Sequence, residues 1–436
     1  MKTDAPLPRL GPSQQRLLEH EYGNMLNCIR CGLCLTSCPT YVLSLHEAEG
    51  PRGRVAMMRA LAEGHLGITP DLVAHEQNCL VCDACTAVCP AGVHMDPLQV
   101  ALRAAIDPDL PRPIWQRALR YVVFRLVFGD MRWFRMLARA LRLYQRSGLQ
   151  RLARATGLLR LLRLADAERF LPQIPARFVV PEDETYPRET RDDVQSPARV
   201  TFFAGCVMST GLADVDRATI RVLQRAGCDV ENPRGQGCCG ALNAHGGDLE
   251  GAMALARRNI AAFEGEGPIV VNSAGCGAML KEYTHHLRDD PEWAAPAAAF
   301  SARVCDVTEL LATRELPSRH PLQARVVYQD PCHLAHAQRI TQQPRALLKA
   351  IPGLELREMA ESGLCCGSAG VYNVTNPRES RQLQQRKLDH ALAAGAEVIA
   401  TANPGCLLQL QAGLAERGSA VPVRHVVELL DEATAP

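Results

Sequence analysis

The stretches "CIRCGLCLTSCPTY" and "CLVCDACTAVCPAG" repeat one arrangement of cysteines, each closed by a proline. The first holds Cys28, Cys31, Cys34 and Cys38 before Pro39, and the second holds Cys79, Cys82, Cys85 and Cys89 before Pro90. Both read C-x2-C-x2-C-x3-C-P, a spacing that suits a pair of iron–sulfur clusters. Three thiolates on one tight loop bind three corners of a cube, and the fourth reaches across to the other cube. The expected ligand sets are therefore Cys28, Cys31, Cys34 and Cys89 for one [4Fe-4S] cluster, and Cys79, Cys82, Cys85 and Cys38 for the other. Structural zinc is the competing reading, because four-cysteine zinc sites also use C-x2-C pairs. Zinc sites rarely need a third cysteine two residues further on, and here the whole pattern stands twice.

A second kind of cysteine motif follows. "GQGCCGAL" sets Cys238 beside Cys239, and "GLCCGSAG" sets Cys365 beside Cys366. A disulfide between adjacent cysteines closes a cramped, strained ring, so the doublets read as metal-binding corners. Each has a cysteine upstream and downstream at the end of a predicted strand. These are Cys206 and Cys276 in the first copy, Cys332 and Cys406 in the second. The resulting sets, Cys206, Cys238, Cys239 and Cys276, then Cys332, Cys365, Cys366 and Cys406, are candidate sites for a further iron–sulfur cluster or another metal. The glycines after the doublets would let the backbone come close to a bulky group. His333 and His336 in "DPCHLAHAQ" adjoin Cys332 and are candidates for an acceptor or proton site. Simple packing of a loop is the more ordinary role for such histidines.

Stepping from these residues to their carriers, the chain divides into four. Residues 1–108 hold the two quartets. Between them "GPRGRVAMMRALAEG" reads as a helix, with Arg52 and Arg54 placed either to offset cluster charge or to sit in solvent. Residues 109–197 form a connector: two or three basic amphipathic helices rich in Leu and Arg, then a Pro- and charge-rich linker over 172–197. Such helices suit packing on the protein itself, an acidic partner, or an anionic membrane surface. Residues 198–316 and 317–436 are two copies of one α/β unit, an internal duplication of roughly 120–130 residues with a parallel sheet expected in each. "VCDVTELL" and "VRHVVELL" close the two copies. The duplication leaves Cys228 opposite Leu354 and Cys305 opposite Arg424, which marks both as ordinary buried thiols. The fold class is thus α+β and multidomain: a helical two-cluster ferredoxin-like domain, a helical connector, and duplicated α/β cysteine-rich domains.

The totals agree. The 436 residues are 47% hydrophobic and 22% charged, and the net charge of +1 argues against nucleic-acid binding. No run of about eighteen uncharged apolar residues predicts a membrane span. The N-terminal stretch has no apolar signal-peptide core. Eighteen cysteines then point to a reducing compartment and to metal in place of disulfides.

With these motifs in view, the chain resembles the glycolate oxidase iron–sulfur subunit family. The likeness rests on "CGLCLTSCPTY", "GPRGR", "GCCGA", "SAGCGAMLKEY", "CCGSAG" and "ANPGC" and runs nearly the whole length. It implies an electron-transfer subunit of an oxidoreductase, partnered by FAD-containing subunits that oxidise glycolate to glyoxylate, with a quinone as acceptor. It further implies a cytoplasmic protein, peripheral on the inner membrane. The chain shows no G-x-G-x-x-G fingerprint after a strand, in keeping with flavin chemistry elsewhere. Iron–sulfur subunits of lactate or anaerobic glycerol-3-phosphate dehydrogenases share the architecture, as do heterodisulfide reductase subunits, which are thiol–disulfide enzymes. A scaffold with structural metals is a further alternative. In the heterodisulfide branch each doublet motif ends in C-x2-C, whereas here Met279 and Gln409 stand where the fifth cysteines would be.

Overall fold

The computed structural model describes residues 10–161, 164–189, 198–317 and 320–436. Residues 10–108 form helices and tight cysteine loops, with no strand among the described residues. Helix Pro51–Ala62 begins at Gly50-Pro51, where proline suits the first turn, and buries Val55, Met58 and Leu61. It packs with Leu18, Met25, Leu72, Leu98 and Leu102 into one apolar core, from which both cysteine loops project.

The strands are β1 Glu184–Tyr186, β2 Ala198–Phe203, β3 Cys228–Asn232, β4 Ile269–Val271, β5 Val304–Asp306, β6 Ala324–Tyr328, β7 Leu354–Arg357, β8 Val398–Thr401 and β9 Val423–His425. They build two sheets of order β1-β3-β2-β4-β5 and β7-β6-β8-β9. All pairings are parallel except β1 with β3. The repeat is therefore spatial as well as sequential: β2, β3, β4 and β5 take the places of β6, β7, β8 and β9. The matched tails have a local cause. Asp306 and His425 each cap a helix, and Glu309 and Glu428 reach back to the cap backbone at 3.0 and 2.7 Å. Cys228 and Leu354 open equivalent strands, and Cys305 and Arg424 are both the middle residues of theirs.

Three features depart from the sequence reading. First, the linker over 172–197 contains β1, which extends the first sheet with Glu184 paired to Asn232. Charged and proline-rich neighbours hid it, and such neighbours are what an edge strand carries to avoid further pairing. Second, the connector is cut into more pieces than expected. Helix Ile114–Tyr121 runs into a π turn over Val122–Val127, then come Met131–Arg146, Leu149–Ala155, Leu158–Leu161 and Ala165–Glu168. Gly148 and Gly157, both at positive φ, break the run. Third, the two copies share one apolar core, in which Val200, Phe202 and Val270 meet Val326, Tyr328 and Ala400. Helices Ala213–Arg225 and Val426–Thr434 pack across that seam, pinned by Arg225 Nη1 on Asp431 Oδ1 at 2.9 Å.

The doublet glycines have a packing role of their own. Gly240 and Gly367 have φ of 87° and 85°, and a Cβ there would press on the backbone of Ala252 or Ser380 in the following helix. They turn the chain and seat a helix against it. Gly240→Ala and Gly367→Ala should each cost about 2 kcal/mol or more, seen as a lower denaturant midpoint with an unchanged slope.

Candidate metal centres

The two ferredoxin-type loops share a backbone conformation despite different side chains. Arg30 and Gly32 in the first, and Val81 and Asp83 in the second, all have positive φ. Val81 is β-branched and pays strain there; the conformation makes sense as one that turns thiols and amides inward. Val81 N–H donates to Cys79 Sγ at 3.4 Å, and Val93 N–H donates to Cys89 Sγ at 3.4 Å.

The thiols gather in the crossed pattern. Cys34 feels the charges of Cys28 and Cys89, and burial pushes its thiol up to about 11. Cys31 is exposed. Cys38, Cys79, Cys82 and Cys85 line one small cavity together with Thr40, Leu80 and Arg54. Burial raises Cys79, Cys82 and Cys85, and the nearby thiolates raise them further. Four thiols around one cavity, three of them resisting ionisation individually, are a donor set that fits a cationic inorganic centre.

Arg54 settles the question left open about the arginines. It is buried, donates to Glu49 O at 2.6 Å and Thr40 Oγ1 at 3.1 Å, and stands 4.0 Å from Cys38 Sγ. Burial opposes its charge, but Cys79, Cys38, Glu76 and Glu49 outweigh that and hold the guanidinium firmly protonated. Arg52 is more open, bonded to Glu47 and to Arg30 O at 3.1 Å.

Both doublet sets also converge. Cys206 and Cys238 sulfurs are 3.6 Å apart, and Cys239 is within hydrogen-bond reach of Cys238 and Cys276, all as free thiols. Cys332 and Cys365 are 3.9 Å apart, Cys366 and Cys406 are 3.5 Å apart, and Cys365 is within hydrogen-bond reach of Cys366. In each set one thiol is held low by hydrogen bonds from its neighbours: Cys238 from Cys206 and Cys239, Cys366 from Cys365 and Cys406. The downstream cysteines lie one turn beyond their strands. Cys276 and Cys406 sit in the first turns of helices Ala274–Lys281 and Pro404–Glu416, where free amides and the helix dipole favour thiolates. The positions of the missing fifth cysteines are filled: Met279 packs with Cys206, Cys238 and Cys239, and Gln409 Nε2 donates to Cys366 O at 3.3 Å.

The copies differ in charge. Seating each helix on its doublet glycine aligns Ala252 with Ser380, and hence Asn259 with Lys387. Asn259 is neutral and holds the first doublet through Cys238 O at 2.9 Å. Lys387 is buried and donates to Glu361 O and Ser362 O. Burial lowers its pKa, while Cys366, Cys365 and Cys406 pull it back up. A lysine in a long polar helix looks like a surface residue, so nothing local in the sequence marked it.

The sites also stand in order. Cys85 lies within electrostatic reach of Cys34, and Cys82 of Cys332. Leu80, Cys82, Ala84, Cys332, Cys365 and Tyr372 form one apolar cluster, which seals the second ferredoxin-type site against the second doublet site. The first doublet site is instead covered by the connector through Met131 and, at its margin, Phe128 and Phe134. His336 bonds Gly363 O at 2.8 Å and so holds the second doublet loop. His333 points elsewhere, and burial pushes it down to about 4. Cys228 is buried in the shared core and Cys305 half-buried at its edge, apart from the four thiol sets.

Comparison with known proteins matches this geometry. Residues 27–93 fit a 4Fe-4S dicluster domain, and residues 200–281 and 326–411 fit the cysteine-rich domain. Residues 115–171 fit the linker region of the glycolate oxidase iron–sulfur subunit. The chain is 39% identical over 424 residues, 94% of either chain, to the probable glycolate oxidase iron–sulfur subunit of Bacillus subtilis. The chain belongs to the glycolate oxidase iron–sulfur subunit family. The Escherichia coli glycolate oxidase iron–sulfur subunit is 32% identical over 93% of both chains. Lactate utilization protein A of Oceanobacillus iheyensis is 31% identical over 53% of this chain and 96% of its own. As a member of this family the chain is an iron–sulfur electron-transfer subunit with [4Fe-4S] clusters, and it works with partner subunits.

If Cys82 ligates the second cluster as its position implies, Cys82→Ser should remove or shift one cluster signal in electron paramagnetic resonance and leave the other. Two undiminished signals would exclude that ligand set.

Proposed function

We propose that this chain is the electron-transferring subunit of a complex that oxidises glycolate to glyoxylate in FAD-containing partner subunits and delivers the electrons to a quinone. The observation that carries the reading is the unbroken row of thiol sets, from the first quartet with its exposed Cys31 through the second to the buried doublet site at Cys332. When bound, the clusters supply one-electron redox capacity. The chain's own residues hold them, keep water out and set the local charge through Arg54 and Lys387.

The exposed end of the row suits the flavin partner. Leu26, Ile29, Leu33, Leu45 and Val88 are exposed on or beside the cysteine loops, a set of apolar side chains that a docked subunit would cover. A lactate-oxidising complex is the second reading, favoured by the likeness to lactate utilization protein A. In the anaerobically purified complex, glycolate should bleach the cluster absorbance much faster than lactate or glycerol 3-phosphate. Faster bleaching by lactate would reverse the assignment.

The quinone places the complex at a membrane, and the connector offers a surface for one. No helix among the described residues is long and apolar enough to cross a bilayer. Ile114, Trp115, Leu119, Tyr121, Trp133, Met136, Leu143, Leu149, Leu152 and Leu161 are exposed along it. Arg117, Arg132, Arg146, Arg151 and Arg160 are exposed on the same helices. Apolar side chains among arginines favour an anionic lipid surface over a neutral one. The chain should sediment with vesicles containing anionic lipid and lose most of that binding in a Trp115→Glu/Leu119→Glu double variant. Equal binding of both proteins would exclude this surface.

A further inference from the structure

Asp96, His245 and His333 come from three separate parts of the chain. Asp96 lies in the first turn of helix Met95–Ile106, in the ferredoxin-type region. His245 ends helix Ala241–His245 after the first doublet, and His333 follows Cys332 in the second copy. Folding brings one carboxylate oxygen and two imidazole nitrogens from them to within 4.8 Å of one another. The two rings stack at 5.9 Å between centroids, 18 to 13% exposure remains on the His245 and Asp96 side chains, and His245 Nε2 is 3.6 Å from Asp96 Oδ1. Asp96 Oδ1 and His333 Nε2 are buried without a hydrogen-bond partner among the described residues. Native proteins leave few such atoms unmatched.

Three carboxyls crowd this corner, and burial together with the charge of Asp96 pushes the Asp83 and Glu282 carboxyls up, a repulsion that a bound cation would relieve. Asp83 and Glu282 both lie within electrostatic reach of Asp96, and His286 adjoins the same group. Arg103 approaches from the other side and is within electrostatic reach of Asp96, with Nη1 donating to His245 O at 2.9 Å and Nη2 to Cys79 O at 2.6 Å.

We propose that Asp96, His245 and His333 form a binding site for a divalent first-row transition-metal ion, separate from the thiol centres and joining the three domains. Two imidazoles and one carboxylate are a donor set for Zn2+ or Fe2+, which binds such atoms at about 2.0–2.2 Å and keeps a further position for water. Side-chain rotations that draw the three atoms inward complete it. Because each ligand comes from a different domain, the ion acts as a staple. It fixes the ferredoxin-type region against both cysteine-rich copies close to where Cys82 meets Cys332.

The test uses the full-length, cluster-loaded protein and Zn2+ as the probe. Wild type should take up one equivalent of Zn2+, with an X-ray absorption edge showing nitrogen and oxygen ligands only. Asp96→Asn and His245→Gln should each weaken uptake at least tenfold, with cluster iron and acid-labile sulfide unchanged. Uptake should raise the thermal midpoint of wild type and leave that of the variants unmoved. Sulfur in the zinc shell would place the ion in a cysteine site and overturn the proposal, as would no uptake by wild type or equal uptake by the variants. Should a variant fail to fold, the wild-type absorption edge decides alone.

Discussion

Four thiols packed at contact distance in a water-excluded pocket cannot all ionise unless a cationic centre shares their charge. The rest of the structure depends on that constraint. Burial drives Cys34, Cys79, Cys82 and Cys85 upward, and hydrogen bonding between thiols raises Cys206, Cys239, Cys365 and Cys406 while it lets Cys238 and Cys366 fall. Loops with left-handed residues, helix N-termini at Cys276 and Cys406, and buried cations are all ways of making concentrated sulfur tolerable. Their convergence distinguishes these sites from Cys228 and Cys305, which lie in and beside the shared apolar core.

Charge compensation is uneven, and the unevenness is informative. The second ferredoxin-type site has Arg54 at its wall, and the second doublet site has Lys387. The first doublet site has neutral Asn259 at the position equivalent to Lys387. A buried positive charge stabilises the more reduced, more negative state of an iron–sulfur centre, so a centre held beside Lys387 would have a higher potential than one held beside Asn259. The site with the added cation is also the one in contact with the ferredoxin-type region through Cys82 and Cys332.

The architecture supports a fixed row of centres. Because the two copies share one core, they cannot rotate past each other without exposing Val200, Val326, Tyr328 and their neighbours. Polar ties hold the ferredoxin-type region to them: Tyr372 Oη on Asn78 at 2.6 Å, Arg339 on Ala87 O at 2.9 Å, and Arg103 on His245 O at 2.9 Å. The connector closes the first doublet site with one face and leaves its other apolar face outward.

The eight ferredoxin-type cysteines, the doublets and the duplication were legible in the sequence, because loop ligation and strand–helix rhythm are local and leave fixed spacings. The same spacings showed that Cys228 and Cys305 stand outside the repeat. Strand β1 was hidden because an edge strand carries the composition of a linker. Only the tertiary structure decided that the copies share a core, that Cys82 faces Cys332, that Lys387 is buried, and that Asp96, His245 and His333 meet. Those relations join residues far apart in the chain, and the packing of whole elements, with no periodicity to announce it, brings them together.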